Sequence, residues 1–252
     1  MTVVRIGLSG FTMAFDEYVR QFPVVEVQQT FYEPPRDETM RRWRAEAPTG
    51  FEFTLKAWQL VTHPSSSPTY RRLRRPLSGP ERQTAGGFQA SAIVRAAWAR
   101  TVECVRLLDA TAVLLQCPAS FRPTEENVDR MRQFFASVER PDGVRLLWEP
   151  RGPWPARLVA TLSRELGLVH VVDPFVGPTV TPDTTYLRLH GTTGARHVYT
   201  DEELGRLATM LPVGAAVPAY VLFNNLPRVG DARRFAALLR DRAGLSVAPA
   251  LA

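Results

Sequence analysis

Ten polar residues close short apolar runs along the chain: Glu26, Gln28, Lys56, Gln116, Glu149, Arg151, Asp173, Arg188, His190 and Asn224. Their types are those of proton transfer and ligand orientation. Lys56, Glu149 and His190 can give or take protons near neutral pH once burial and neighbours tune them. Arg151, Arg188, Gln116 and Asn224 can orient a ligand, with Glu26, Gln28 and Asp173 as further contacts. His63, in a long loop, and Tyr199, in a later one, can reach over the same ligand. Three cations (Lys56, Arg151, Arg188) face three carboxylates (Glu26, Glu149, Asp173). That balance suits a small molecule bearing hydroxyl and anionic groups. It suits a dedicated metal cage less well, because the cations would oppose a divalent ion. No cofactor is therefore expected, and a divalent metal is kept as the alternative. A Gly-rich phosphate loop, a serine nucleophile elbow and a zinc motif are all missing from the sequence.

The elements that must position these groups are eight apolar runs: 5–10, 24–29, 51–56, 112–117, 145–149, 168–173, 185–190 and 219–225. Runs of this length, bounded by Gly, Pro or Asp and separated by helix-like stretches, read as buried parallel strands joined by helices. Together they predict one α/β domain over 1–252, a single (β/α)8 TIM-like barrel with its site at the C-terminal strand ends. The second strand is expected to run from Val24 to Phe31, with Glu26, Gln28 and Thr30 on one face by period-two alternation. In strand three Glu52, Thr54 and Lys56 share a face. In strand seven Tyr186, Arg188 and His190 do. Helices are expected from Asp37 to Ala47, over 94–109, from Thr124 to Val138, from Pro155 to Leu166, from Asp201 onward and from Asp231 to Asp241. A long loop, Ala57 to Ile93, follows strand three. It is far above the usual length of about 2–6 residues and reads as a lid or binding loop, with room for a short helix.

The chain is basic, with 31 Lys and Arg against 25 Asp and Glu. A solvated arginine-rich surface accounts for most of that excess, and Arg71, Arg72, Arg74 and Arg75 offer a patch for nucleic-acid phosphates. Thirty of the basic residues are arginine and Lys56 alone is lysine, the imprint of a GC-rich genome. A lysine kept under that bias at a strand end points to work that arginine cannot do. Cys104 and Cys117 make neither a disulfide framework nor a zinc site, so reduced thiols and a cytoplasmic setting are expected. No long apolar stretch predicts a membrane span, and Met1–Arg5 leads straight into a strand, which predicts no signal peptide.

The chain resembles the YecE-like family, a domain of unknown function with a barrel fold. The resemblance rests on Gly7-Leu-Ser-Gly10, Glu26-Val-Gln-Gln-Thr-Phe-Tyr32, Phe53-Thr-Leu-Lys-Ala57, Thr62-His63 and Leu115-Gln-Cys-Pro118. It continues in Glu149-Pro-Arg151 with Trp154, Arg188-Leu-His-Gly191, Tyr199 and Phe223-Asn-Asn225. These pieces span nearly the whole chain in order. The resemblance implies the barrel and the place of the site, and no reaction. The sequence departs from the family pattern at Gln28-Gln29, near Phe11 and at Leu226; the longer glutamines are expected to narrow the mouth.

The function expected from these residues is an enzyme acting on a small polar metabolite, a sugar or sugar phosphate, by acid/base chemistry. Two alternatives stand beside it. One is nucleic-acid binding or processing through the arginine cluster, and the other a metal-dependent hydrolase using Glu26, Glu149, Asp173 and His190.

Overall fold

A computed structural model describes residues 1–240 and 242–250. The described residues form nine strands: β1 (Thr2–Ser9), β2 (Val24–Val27), β3 (Glu52–Lys56), β4 (Ala112–Cys117), β5 (Arg145–Pro150), β6 (Val169–Val172), β7 (Tyr186–Leu189), β8 (Ala219–Phe223) and β9 (Leu245–Val247). The helices between them are α1 (Phe15–Val19), α2 (Gln29–Tyr32), α3 (Asp37–Glu46), α4 (Gln59–Thr62), α5 (Gly79–Thr84), α6 (Ala92–Leu108), α7 (Glu125–Ser137), α8 (Ala156–Leu166), α9 (Asp201–Thr209) and α10 (Arg228–Arg240). The strand order is β2-β3-β4-β5-β6-β7-β8-β1-β9, with β1 also pairing β2. Parallel pairing in that order, with helices alternating, is the closed eight-stranded TIM barrel, and β9 adds a short strand beside the start of β1.

The strands form where the apolar runs predicted them, with two differences. β2 stops at Val27 rather than Phe31, and Gln29–Tyr32 turn into α2. Thr30 supports that turn, since its hydroxyl shares its one proton between the carbonyls of Lys56 (2.7 Å) and Val27 (3.0 Å). Gln28 and Thr30 thus do not continue the Glu26 face. The second difference is the long loop after β3, which folds as α4, a 3-10 turn at Pro68–Arg72 and α5. Ser78 and Glu81 close a capping box on α5, which explains a helix in a segment that carries no apolar period. Helix α6 ends at Leu108, where Asp109 adopts a left-handed conformation (φ 50°). The helix expected to close at Asp241 reaches Arg240; Asp241 lies outside the described residues.

The chain divides into two compact units. One comprises Met1–Glu26, Glu46–Glu52 and Val169–Ala252, the other Val27–Ala45 and Phe53–Leu168. The first unit buries Ile6, Leu8, Val221, Phe223 and Phe235 together with the stacked rings of Tyr186 and Tyr220. Within it β1 and β2 approach so closely that a Cβ on Gly7 would lie 2.2 Å from the carbonyl oxygen of Val24, so only glycine fits. The second unit buries Phe53, Leu55, Val113, Leu115, Trp148 and Met131 between its strands and helices. Phe88 and Phe134 pack ring on ring at 5.2 Å beside them. Burial pushes the thiols of Cys104 and Cys117 up to about 12, which removes both as nucleophiles. Among the described residues, no helix is long and apolar enough to cross a membrane.

Candidate active site

Each unit carries a polar cluster at the C-terminal ends of its strands. In the second unit, register places Gln116 of β4 directly opposite Glu149 of β5. The amide spans two charges: Lys56 Nζ donates to Gln116 Oε1 at 2.6 Å, and Gln116 Nε2 donates to Glu149 Oε2 at 3.1 Å. Arg151 Nη1 donates to the other oxygen, Glu149 Oε1, at 2.9 Å. Lys56 and Glu149 are 6% and 3% exposed, so both charges sit away from bulk water. The Lys56 ammonium also lies 3.6 Å from the centre of the Phe31 ring, a cation–π contact strengthened by that dryness.

The ring of His63 meets the same Phe31 edge-on at 4.8 Å. Its Nδ1 pairs with Thr62 Oγ1 at 2.8 Å, and its carbonyl accepts from the Tyr70 hydroxyl at 2.7 Å. Burial, with the Lys56 charge adding, pushes His63 down to about 3. His63 is therefore a neutral imidazole at physiological pH.

The first unit builds its cluster around a fully buried ion pair. Arg188 reaches Glu26 Oε1 through Nη2 at 2.9 Å and Nε at 3.1 Å. Ser9 Oγ donates to the same oxygen at 3.0 Å, and Tyr186 Oη to Glu26 Oε2 at 3.0 Å. His190 Nδ1 lies 2.9 Å from the Arg188 carbonyl, and its Nε2 lies 3.4 Å from Arg188 Nη1. A carbonyl can only accept and a guanidinium can only donate, so the proton belongs on Nδ1 and the lone pair on Nε2. Asp173 accepts from the backbone N–H of His190 at 2.9 Å and of Phe175 at 3.1 Å, which joins the end of β6 to the end of β7.

The model of the family described as "Protein of unknown function DUF72" matches residues 9–251. The chain belongs to the DUF72 family. A DUF72 family protein from Enterococcus faecalis V583 shares 21% identity, with 96% of this chain and 99% of that one covered and a TM-score of 0.69. SacUVDE aligns at 8% identity over 96% and 98% of the two chains, with a TM-score of 0.60. D-psicose 3-epimerase, crystallised in the presence of D-fructose, aligns at 14% identity over 94% and 98%, with a TM-score of 0.53. At these identities the likeness is one of fold. No curated protein matches the chain.

In this DUF72 protein the strand ends bring Lys56, Gln116, Glu149 and Arg151 together in one cluster and Glu26, Arg188, His190 and Asp173 in the other. The remaining candidates stand as follows. Gln28 is half-buried, at the start of α2. Tyr199 is fully buried, stacks on Phe175 and accepts the Gly191 N–H at 2.8 Å; burial, with Asp173 adding, raises its hydroxyl above the ordinary range. Asn224 is half-buried and its backbone N–H continues the ladder to the Leu189 carbonyl. The neighbouring Asn225 is the buried one, tied to Asp231 Oδ2 at 2.6 Å and to the His197 carbonyl at 2.9 Å. Among the four loop arginines, Arg72 lies over the Tyr32 ring and Arg75 pairs with Glu81.

Sequence reasoning passed over Ser9, Tyr186 and Phe31. Tyr186 carried a signal, because it shares the period-two face of Arg188. Phe31 carried none, since only the early end of β2 turns its ring beneath Lys56. Among the described residues, no group of three or more His, Cys, Asp and Glu is placed to hold a metal ion.

Proposed function

We propose that this protein is a cytoplasmic enzyme of the YecE-like kind that acts on a small polar metabolite, a sugar or sugar phosphate, by acid/base chemistry at its strand ends. One observation carries the reading. The Gln116 side chain bonds to both Lys56 and Glu149, so one amide links a buried cation to a buried carboxylate. An amide passes no proton along this line. Its contribution is to hold two opposite charges at fixed places on β3 and β5, the strands that flank its own.

Glu149, with donors aimed at both its oxygens, is a carboxylate positioned as a general base. Lys56 is an ammonium positioned to donate to an oxygen that gains charge as the proton leaves the ligand. Arg151, whose side chain is 43% exposed, can orient an anionic substituent while it holds Glu149. In the other unit, Arg188 and His190 form a second set of groups for ligand orientation and proton exchange, with Nε2 of His190 as the accepting atom. A sugar is in keeping with the fold shared with D-psicose 3-epimerase, which is support by analogy.

The test is a thermal-shift screen of sugars and sugar phosphates, with and without divalent metals, followed by turnover measurements on the compounds that stabilise the protein. Lys56→Met and Glu149→Gln should each abolish turnover while the fold survives. Full activity in both variants would end this reading.

A further inference from the structure

We infer that the connection between β3 and β4 carries a separate anion site, a cavity of about 430 Å3 that takes a phosphate group, and this goes beyond the acid/base reading. Its polar lining is Ser65, Ser66, Ser67, Tyr70, Arg71 and Arg82, with no carboxylate. The Arg71 side chain makes no hydrogen bond or ion pair to any described residue. Arg82 uses Nε on the Leu77 carbonyl at 3.1 Å and has no acidic partner among the described residues. The acid nearest in sequence, Glu81, is engaged elsewhere. Both its oxygens meet Arg75 at 2.7 and 3.1 Å, and one accepts the Ser78 N–H at 2.7 Å. Those bonds, that to Arg75 foremost, hold the Glu81 carboxyl down to about 2. Two guanidinium groups therefore line one polar cavity with their charge uncompensated, beside the serine hydroxyls.

The same residues argue against a track for nucleic acid. A backbone of regularly spaced phosphates needs a row of available cations. Here the row is interrupted at Arg75, which is tied to Glu81. Arg74 does not line the cavity, and the two arginines that do, Arg71 and Arg82, match one phosphate group, whether free phosphate or the monoester of a metabolite. Tyr70 stands in the cavity wall and donates to the His63 carbonyl, so a phosphate held there would also steady the His63 segment.

Isothermal titration with inorganic phosphate and with methyl phosphate tests the site and separates the two sources. Wild-type protein should bind at least one probe, and Arg71→Gln/Arg82→Gln should weaken that binding at least about tenfold. Arg71→Gln alone, at a side chain with no intramolecular bond to lose, keeps the test valid if the double variant unfolds. Binding of methyl phosphate alone assigns the site to a monoester; binding of both assigns it to phosphate as such. Unchanged affinity in the variants, or no binding of either probe, overturns the inference. So does duplex DNA binding that needs Arg72 and Arg74 but not Arg71 and Arg82. None of these outcomes depends on Lys56 or Glu149, so the anion site and the acid/base reading stand or fall separately.

Discussion

His63 makes the stability of this protein depend on pH in a way the structure fixes in sign and size. The imidazole is 8% exposed, lies against Phe31, and shares that ring with the Lys56 ammonium. Charging it in the folded state means placing a second cation in a dry site. The folded value is accordingly pushed down to about 3, against 6.5 for an ordinary histidine. A histidine lowered in the folded state leaves the unfolded chain as the better proton binder between the two values. Stability is then fully present above the unfolded value and is lost as pH falls from about 6.5 toward 3. Between pH 7 and pH 5 this one group removes about 2 kcal/mol, and near pH 5 the slope is about 1.4 kcal/mol per pH unit. Other groups titrate in the same range, so the measurement is a difference. Urea unfolding of wild type and of His63→Gln, which keeps a polar contact for Thr62 but cannot charge, is followed at several pH values. Wild type should lose about 2 kcal/mol more than the variant between pH 7 and pH 5. Parallel pH curves for the two proteins would refute the reasoning, because His63 would then be charging in the folded state as freely as in the unfolded one.

Other consequences are as direct. Arg188→Met removes the guanidinium that meets Glu26 in this buried pair and should cost about 3–5 kcal/mol in urea unfolding. Glu26→Gln/Arg188→Met together should cost clearly less than the sum of the single changes, as a double-mutant cycle will show. Gly86→Ala would place a methyl 1.8 Å from the His63 carbonyl oxygen at a φ of +76°, so a loss of more than about 2 kcal/mol is expected by thermal unfolding. Lys56→Arg should fail to restore turnover lost in Lys56→Met, and restoration by arginine would remove the case for an ammonium at this position.

The sequence revealed the barrel because a parallel strand buried on both faces must be apolar for most of its length, and eight such runs leave few other arrangements. Charged residues inside those runs, such as Glu26 and Arg188, stood out for the same reason. Partnership within the clusters was harder to see. That Gln116 bridges Lys56 and Glu149 depends on the register of β4 against β5, which local periodicity does not encode. The fate of Gln28 was misread because nothing in Val24–Phe31 marks a break; the chain leaves the sheet after Val27 through hydroxyl bonds from Thr30 to carbonyls near and distant in sequence. A short helix was expected somewhere in the long loop, but its place at Gly79–Thr84 was not legible, since a capping box and not an apolar face sustains it. The arginine cluster looked uniform as four letters, and only the fold separates Arg72 and Arg75, which have partners, from Arg71, which has none among the described residues.

The single lysine of the chain now has a physical reason. Its ammonium meets two demands at once, 2.6 Å from Gln116 Oε1 and 3.6 Å from the centre of the Phe31 ring. A compact ammonium donates in several directions from one atom, so it can point at an amide oxygen and at a ring face from the same place. A guanidinium is flat, and its donors lie in its own plane. Stacked on Phe31, it would direct those donors parallel to the ring, not from a single point as the ammonium does. In a composition where arginine fills the other thirty basic positions, these two contacts from one atom favour lysine here, whatever chemistry it performs. Its retention is therefore evidence for the geometry of the site first. Evidence for catalysis has to come from the loss of turnover in Lys56→Met with the fold intact.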